Sequence, residues 1–525
     1  MKQNSDDSRN PLALDHHALY EVLRTRDERF DGRIFVAVKT TRIYCRPICR
    51  ARLPKIENCM FYPIAAMAEK HGYRPCLICR PELAPGETML AGVGDAPSDE
   101  RISADLANRI VRRIEDGVLN DHSVDDLASE FDISARYLRI VLARYIGVTP
   151  VELAQTRRLL HAKQMLTESN LNIVEVAFAA GFNSLRQFNH VFKKKYRLAP
   201  RDFRKALPLR NAKSSAKSAV KSTKVARASQ HECVQLRLDY RPPLNWLGLT
   251  GFLGTRAIPG VEHVEGQRYL RSVAIGEYSG WVIVEQRRGS EKEVRNSLQV
   301  SISDSLVPVS MQIMASIRSV FDVRADVAAI ELQLREDTLL AATVKKYSGM
   351  RLPGAFDGFE LLLRAILGQQ ISVKGATTLA GRFAKAFGDR VDSPFLEITR
   401  STPSAERLAD AEVSCIQEQG LPHKRAATIK AAARAMCDGK LQLSPGADPA
   451  ATAAALIEIP GIGEWTADYV AMRALDWPDA FPSGDLGVKK AMNLTKRKDV
   501  LARAEAWRPW RAYATMYLWL SLAGD

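Results

Sequence analysis

The sequence predicts a multidomain α+β protein, and three observations predict it. At 525 residues the chain is too long for one core and suggests about three to four domains of ~150 residues each. Four of its eight cysteines fall in two tight pairs near the start, Cys45-x3-Cys49 and Cys76-x2-Cys79. Charge is distributed unevenly. Ser134 to Lys205 carries 14 Lys/Arg against 4 Asp/Glu, and Ala206 to Gln230 adds 6 bases and no acids, so these two segments hold essentially all of the net +15.

Composition excludes some classes. No run of 18 apolar residues occurs, so no membrane-spanning helix is expected. Met1 to Asn10 is polar and lacks the apolar core of a signal peptide. A cytoplasmic protein without a membrane partner follows, and its cysteines should stay reduced. The dispersed Cys59, Cys233, Cys415 and Cys437 read as packing residues.

Changes of pattern set the expected boundaries. Residues 12–88 form a small cysteine-bearing unit, and 101–205 alternate amphipathic helical patterns with short turns. Residues 206–231, rich in Lys, Ser and Ala, read as a flexible basic linker too polar to pack. Residues 232–305 contain alternating runs such as Val234–Leu238 and Trp281–Val284, which read as strands. Residues 306–525 are helical in pattern, interrupted by Gly and Pro.

In the first unit 26 residues separate the cysteine pairs. That spacing suits one tetrahedral Zn²⁺ held by Cys45, Cys49, Cys76 and Cys79. A domain this small draws much of its folding energy from such a metal, so a structural staple is the first reading. The flanking residues add another. Phe35 to Arg52, containing Arg42-Ile43-Tyr44-Cys45-Arg46-Pro47-Ile48-Cys49, and Gly72-Tyr73-Arg74-Pro75-Cys76-Leu77-Ile78-Cys79 resemble the N-terminal domain of the Ada DNA-repair regulators. The resemblance implies that Cys45 accepts a methyl group from a methylphosphotriester in DNA, once per molecule. Four thiolates on Zn²⁺ carry a net −2, so one sulfur stays nucleophilic. Methylation removes one negative charge and weakens repulsion from DNA phosphates. Arg42, Arg46, Arg50, Arg52 and Arg74 are expected to surround the site with positive charge.

In the second unit Ser123-Val124-Asp125-Asp126 reads as a capped helix start, with a second helix from near Ser134. The pattern recurs at Asn172-Ile173-Val174-Glu175 and again from Ser184 to Lys195, with a long helix from about Pro150 to Leu166 between the halves. Ala177 to Pro200 resembles the signature of the AraC-type double helix-turn-helix, an all-α DNA-binding fold. The resemblance implies that Arg136, Arg139, Arg186, Gln187 and Asn189 face DNA. Phe182, Phe188 and Phe192 are assigned to the core.

In the third part, Ile459-Pro460-Gly461-Ile462-Gly463-Glu464 lies between two helical patterns. Such a turn aims backbone N–H groups at one phosphate, and only glycine allows so close an approach. Asp485 follows about twenty residues later, where it can face the sugar of the held strand. Most of residues 232–525 resembles AlkA, the alkylated-base glycosylase of the helix-hairpin-helix superfamily. The match runs through Arg241-Pro242-Pro243-Leu244-Asn245-Trp246, Gly251-Phe252-Leu253, Arg364 to Ser372, the hairpin, and Trp507-Arg508-Pro509-Trp510-Arg511. It implies a β-rich N-terminal subdomain and an all-α helix-hairpin-helix core.

The resemblance also implies a monofunctional DNA-3-methyladenine glycosylase II. Asp485 would be catalytic, Phe252, Trp465, Tyr469 and Trp519 would line the base pocket, and Gly461 and Gly463 would hold the backbone. Gln370 would take the wedge position and Gln369 would contact the minor groove. Lys489 and Lys490 are candidates for phosphate contacts. Asp468 and Asp476 are the nearby alternatives to Asp485. Leu486 and Leu520 stand where a familiar relative has aromatic residues. No lysine matches a Schiff-base position, so lyase chemistry is not expected. Ada's Pro-Cys-His-Arg motif does not occur, so O6-alkylguanine repair is not expected either.

The combined expectation is a DNA alkylation-damage response protein. Its partners would be double-stranded DNA, both alkylated and operator, with RNA polymerase as a further candidate, and the chain would act as a monomer. The alternative is a non-enzymatic AraC-type transcription factor with a degenerate C-terminal binding module and a purely structural zinc site.

Overall fold

The computed structural model describes residues 15–86, 98–206, 233–287, 296–444 and 446–522. Nearly all of the expected linker, 206–231, lies outside them. The chain divides into two compact units. One comprises Met1–Ser229, Val234–Arg241 and Val307–Gln312; the other comprises Gln230–Cys233, Pro242–Leu306 and Ile313–Asp525.

The first unit opens with helix His16–Thr25, capped by the Asp15 carboxylate. Strands β1 (Phe35–Val38), β2 (Ile43–Cys45), β3 (Cys59–Tyr62) and β4 (Arg74–Pro75) form a sheet in the order β3-β1-β2-β4. β1 pairs antiparallel with β2 and β3, and β4 runs parallel to β2. One face packs Phe35, Ala37, Tyr44 and Tyr62 on Ala65, Ala68 and Tyr73, with Leu160 from a later helix.

The helical part is organised by its caps. Ser123 and Asp126 form a capping box at Val124–Ser129, and Thr149 and Glu152 form one at Pro150–Glu168, with Pro150 in the first turn. Asn172 and Glu175 do the same for Ile173–Ala179. These reciprocal bonds satisfy N–H groups that a helix start leaves free, which is why the helix beginnings were readable. Helices Ala135–Tyr145 and Leu185–Tyr196 start after Ser134 and Ser184, each accepting a backbone N–H. Phe182, Phe188 and Phe192 are buried, as expected.

Strand β5 (Cys233–Asp239) begins within one residue of the start expected at 232 for the strand-rich stretch. Residues 234–241 belong to the first unit. Polar contacts from the long helix explain this. Gln164 Nε2 donates to the Arg237 carbonyl at 2.7 Å, and the Arg237 N–H donates to Glu168 Oε2 at 2.9 Å.

In the second unit β6 (Glu262–Glu265), β7 (Arg268–Ile275), β8 (Tyr278–Gln286) and β9 (Ser297–Ser303) lie in the order β9-β8-β7-β6, each antiparallel to its neighbour. Helix Trp246–Gly254 interrupts this strand-rich region, with Asn245 as its cap. Trp246, Tyr269 and Phe321 pack ring to ring. The rest is helical. Pro449–Ile457 and Glu464–Arg473 form the expected hairpin, and Leu486–Met492 and Arg511–Ser521 complete the surroundings of the site. Cys59 is buried and Cys233 half-buried, but Cys415 and Cys437 are exposed and do not pack. A lone helical cysteine carries no signal for which face it occupies.

Candidate active site and four-cysteine centre

Asp485 caps helix Leu486–Met492 and its carboxylate accepts three hydrogen bonds. Val488 N–H donates to Oδ1 at 2.9 Å, Trp519 Nε1 to Oδ1 at 3.0 Å and Trp465 Nε1 to Oδ2 at 2.9 Å. All three donors are uncharged, and Asp485 makes no ion pair among the described residues. It is half-buried, not sealed in the core. The indoles fix the plane of the carboxylate without neutralising it. Gly487 makes this geometry possible, because a Cβ there would lie 3.0 Å from Asp485 Oδ1 and 3.1 Å from Trp519.

The same side chains form an aromatic wall. Trp465 and Tyr469, one turn apart on helix Glu464–Arg473, stack at 5.4 Å with planes 8° apart. Tyr469 lies 6.4 Å from Trp519. Arg473 NH1 donates to the Tyr469 hydroxyl at 2.7 Å. Burial alone would raise the Tyr469 phenol, but Arg473, Arg256 and Arg364 outweigh it and bring it below its ordinary value.

Phe252, expected to line the base pocket, lies beside two guanidinium groups. The Arg256 guanidinium sits 3.8 Å from the Phe252 ring centroid, and that of Arg473 sits 5.3 Å from it. The ring already holds protein cations.

The hairpin turn has the backbone the sequence demanded. Gly461 has φ +93°, and a Cβ there would lie 2.2 Å from Thr428 Oγ1. Thr428 Oγ1 in turn donates to the Pro460 carbonyl at 2.8 Å. Gly463 caps the following helix, and nothing lies within 4 Å of the position a Cβ would take there.

The two glutamines separate. Gln369 Nε2 donates to the Gly461 carbonyl at 3.0 Å and to Thr466 Oγ1 at 3.3 Å, so it braces the hairpin instead of projecting freely. Gln370 is exposed with φ +60°, at the turn before helix Val373–Phe387.

Of the alternative acids, Asp476 accepts from Ser319 Oγ at 2.8 Å. Asp468 is half-buried, and burial pushes its carboxyl up to about 6 despite the nearby Arg497. Neither binds the tryptophans that hold Asp485. Lys489 is half-buried, Lys490 exposed, Leu486 82% exposed and Leu520 half-buried.

In the first unit the sulfurs of Cys45, Cys49, Cys76 and Cys79 all lie within 4.8 Å of one another, the one potential metal-holding group among the described residues. Tetrahedral bonds of about 2.3 Å place sulfurs roughly 3.8 Å apart, so the set fits one Zn²⁺ after small adjustments. Cys45 and Cys79 are partly exposed, whereas Cys49 and Cys76 are buried.

Arg46 differs from expectation. It is 2% exposed, its Nε donates to Asp31 at 2.8 Å and its NH1 to Asp239 at 2.8 Å, so its charge is spent internally. Its backbone N–H points at Cys79 Sγ, 3.3 Å away. Arg42, Arg50 and Arg52 are exposed and Arg74 is half-buried.

Comparison with known proteins agrees with this geometry in every segment. Residues 18–82 match the metal binding domain of Ada, and 127–206 a helix-turn-helix domain. Residues 235–357 match the AlkA N-terminal domain, and 363–511 the HhH-GPD superfamily of base excision DNA repair proteins. The probable bifunctional transcriptional activator/DNA repair enzyme AlkA of Mycobacterium tuberculosis is 34% identical over 512 residues, covering 97% of each chain. The chain belongs to this bifunctional AlkA family. DNA-3-methyladenine glycosylase 2 of Escherichia coli is 35% identical over 282 residues, 54% of this chain and 95% of that protein. The Escherichia coli bifunctional transcriptional activator/DNA repair enzyme Ada is 46% identical over 65 residues, 12% of this chain and 18% of Ada.

Within this AlkA-family chain, Arg136, Arg139, Arg186 and Gln187 are exposed on the two second helices of the helix-turn-helix halves, and Asn189 is half-buried. The sequence reading missed the indole clamp on Asp485, Gly487, and the arginines around Phe252. Only Gly487 left a signal, as a glycine two residues beyond the carboxylate. No helix among the described residues is long and apolar enough to cross a membrane.

Proposed function

We propose that this AlkA-family protein hydrolyses the N-glycosidic bond of alkylated bases of the 3-methyladenine type, with Asp485 as the catalytic carboxylate, and that Cys45 accepts a methyl group from DNA methylphosphotriesters. The observation that carries the first part is a carboxylate held by two indole N–H groups, with no ionic partner among the described residues, beside an aromatic wall.

The hairpin at Gly461 and Gly463 grips a strand through backbone N–H groups, and Gln370 occupies the gap left by the extruded nucleotide. In a cationic purine the C1′–N bond breaks with its electron pair going to the base, which leaves neutral. Asp485 stabilises the positive sugar electrostatically. Water adds to C1′ and gives its proton to Asp485. Trp465, Tyr469 and Trp519 supply π faces for the cationic base.

In the first unit Cys45, Cys49, Cys76 and Cys79 would hold Zn²⁺, which keeps their sulfurs deprotonated when bound. Cys45 Sγ attacks the methyl carbon. The C–O bond breaks toward the phosphate oxygen, leaving a diester and a thioether. Arg42, Arg50, Arg52 and Arg74 attract the backbone, and the two recognition helices read an operator from which RNA polymerase is recruited. The working domain limits are 12–88, 101–205, 232–305 and 306–525, and a monomer suffices for each activity.

The test is release of methylated bases from dimethylsulfate-treated DNA. Asp485→Asn is expected to lower the rate by about 100-fold or more. Activity unchanged in that variant refutes the assignment. For the sensor, mass spectrometry should find one methyl adduct on Cys45 after incubation with methylated DNA, and none in Cys45→Ala.

A further inference from the structure

Arg256 is a cation that the mechanism above does not use. It follows helix Trp246–Gly254 and is half-buried. Its NH1 donates only to the Phe252 carbonyl at 3.3 Å and to Thr255 Oγ1 at 3.1 Å. Among the described residues it has no carboxylate partner, although acids line the same cavity. Glu262 is taken by Arg364 and Arg271, and Glu360 by Arg271.

Arg473 shares the cavity and Phe252, but its guanidinium is fully engaged. Nε donates to the Pro353 carbonyl at 2.6 Å, NH2 to the Gly354 carbonyl at 3.0 Å and NH1 to Tyr469. Arg473 is therefore a brace, whereas Arg256 keeps donors to spare. Burial and the neighbouring Arg473 and Arg364 lower Arg256 to about 10, so it remains charged at neutral pH.

We propose that Arg256 is the specificity-determining residue of the base site: stacked on Phe252 beside the Tyr469 wall, it donates a hydrogen bond to an acceptor atom on the edge of an extruded neutral base. This rests on the glycosylase reading above. A neutral base must leave with the electron pair of the broken C1′–N bond and so departs as an anion. A guanidinium at its edge stabilises that developing charge. A cationic base leaves neutral, gains nothing from the donor and is repelled by it in the ground state. Arg256 thus sets the ratio of neutral to cationic lesions excised, opposing the preference of the aromatic wall.

The experiment measures kcat/KM of the full chain on duplexes containing one hypoxanthine or one 7-methylguanine. Arg256→Gln is expected to lower the hypoxanthine to 7-methylguanine ratio by about 10-fold or more. Arg256→Lys keeps the charge and a donor but not the planar group stacked on Phe252, and is expected to give a ratio between those of wild type and Arg256→Gln. A thermal melt of each variant verifies the fold, and Arg256→Met replaces Arg256→Gln if the latter does not fold. An equal fall on both substrates shows that Arg256 only supports Phe252 and overturns the inference. So does a wild type that releases 7-methylguanine but no hypoxanthine. Release of neither base by wild type refutes the glycosylase reading itself, and this inference with it.

Discussion

Both units pair their deepest charges, but the second also keeps two half-buried ones without an ionic partner among the described residues. In the first unit the deep charges of Arg46, Glu69, Glu82 and Lys163 each meet an opposite one. Lys163 and Glu82, each 1% exposed at the side chain, pair with each other, and Arg80 joins Glu82 to Glu168. Glu69 accepts from Tyr44 at 2.9 Å and Thr156 at 3.1 Å and pairs with Lys195 at 3.2 Å. In the second unit, among the described residues, Asp485 has neutral donors and no cation, and Arg256 has no acid. A carboxylate cancelled by an ammonium holds two elements together but offers no field to a ligand. One held by indole N–H groups keeps its orientation and its charge. On the function proposed above, the difference separates ionic groups that build the fold from those that act on the substrate.

Breaking a pair in the first unit has the largest expected effect on stability. Lys163→Met leaves Glu82 buried and should destabilise that unit by about 3–5 kcal/mol in denaturant unfolding. The double variant with Glu82→Leu should recover most of the loss. Burial would raise the Glu82 carboxyl, yet Lys163 and Arg80 outweigh it and bring it below the usual carboxylate range. A depressed pKa contributes stability above the unfolded value and loses it as pH falls through the folded one. The Lys163→Met deficit should therefore shrink on acidification below about pH 4.

Removing a neutral donor should act on catalysis. Trp465→Phe and Trp519→Phe keep a ring but delete the N–H to Asp485, and each is expected to lower kcat for base release about 10-fold, with smaller changes in thermal stability. A loss of stability with kcat intact would make the clamp structural and erase the contrast between the units.

Asp468 offers the smallest effect. Its carboxyl, raised to about 6 chiefly by burial, contributes stability that is complete below the unfolded pKa and lost as pH rises through 6. Asp468→Asn should therefore be more stable than wild type at pH 7 by about 1 kcal/mol after solvent screening, with the gap closing near pH 4. Melting curves across that range test it, and base release should persist, unlike in Asp485→Asn.

Local chemistry explains what was legible. Ser123, Thr149 and Asn172 mark helix starts because each cap bonds within three residues. Gly461 was readable because its left-handed φ excludes most side chains. The cysteine set follows from spacing, and Asp485 from the resemblance to AlkA together with its distance to the hairpin. Cys415 and Cys437, read as packing residues, failed because composition does not say which helix face a thiol occupies. Arg46 failed because its acids, Asp31 and Asp239, are 15 and 193 residues away.

The sequence alone therefore determined the order of the modules, the four-cysteine set and several helix starts, and it named Asp485 as the carboxylate to test. Tertiary structure alone decided how that carboxylate is held, that Gln369 braces the hairpin 92 residues away, and that Phe252 carries two guanidinium groups. Caps and turns depend on backbone within a few residues, so propensity records them. The clamp, the brace and the stacked arginines depend on where distant segments meet, which packing of the whole core fixes.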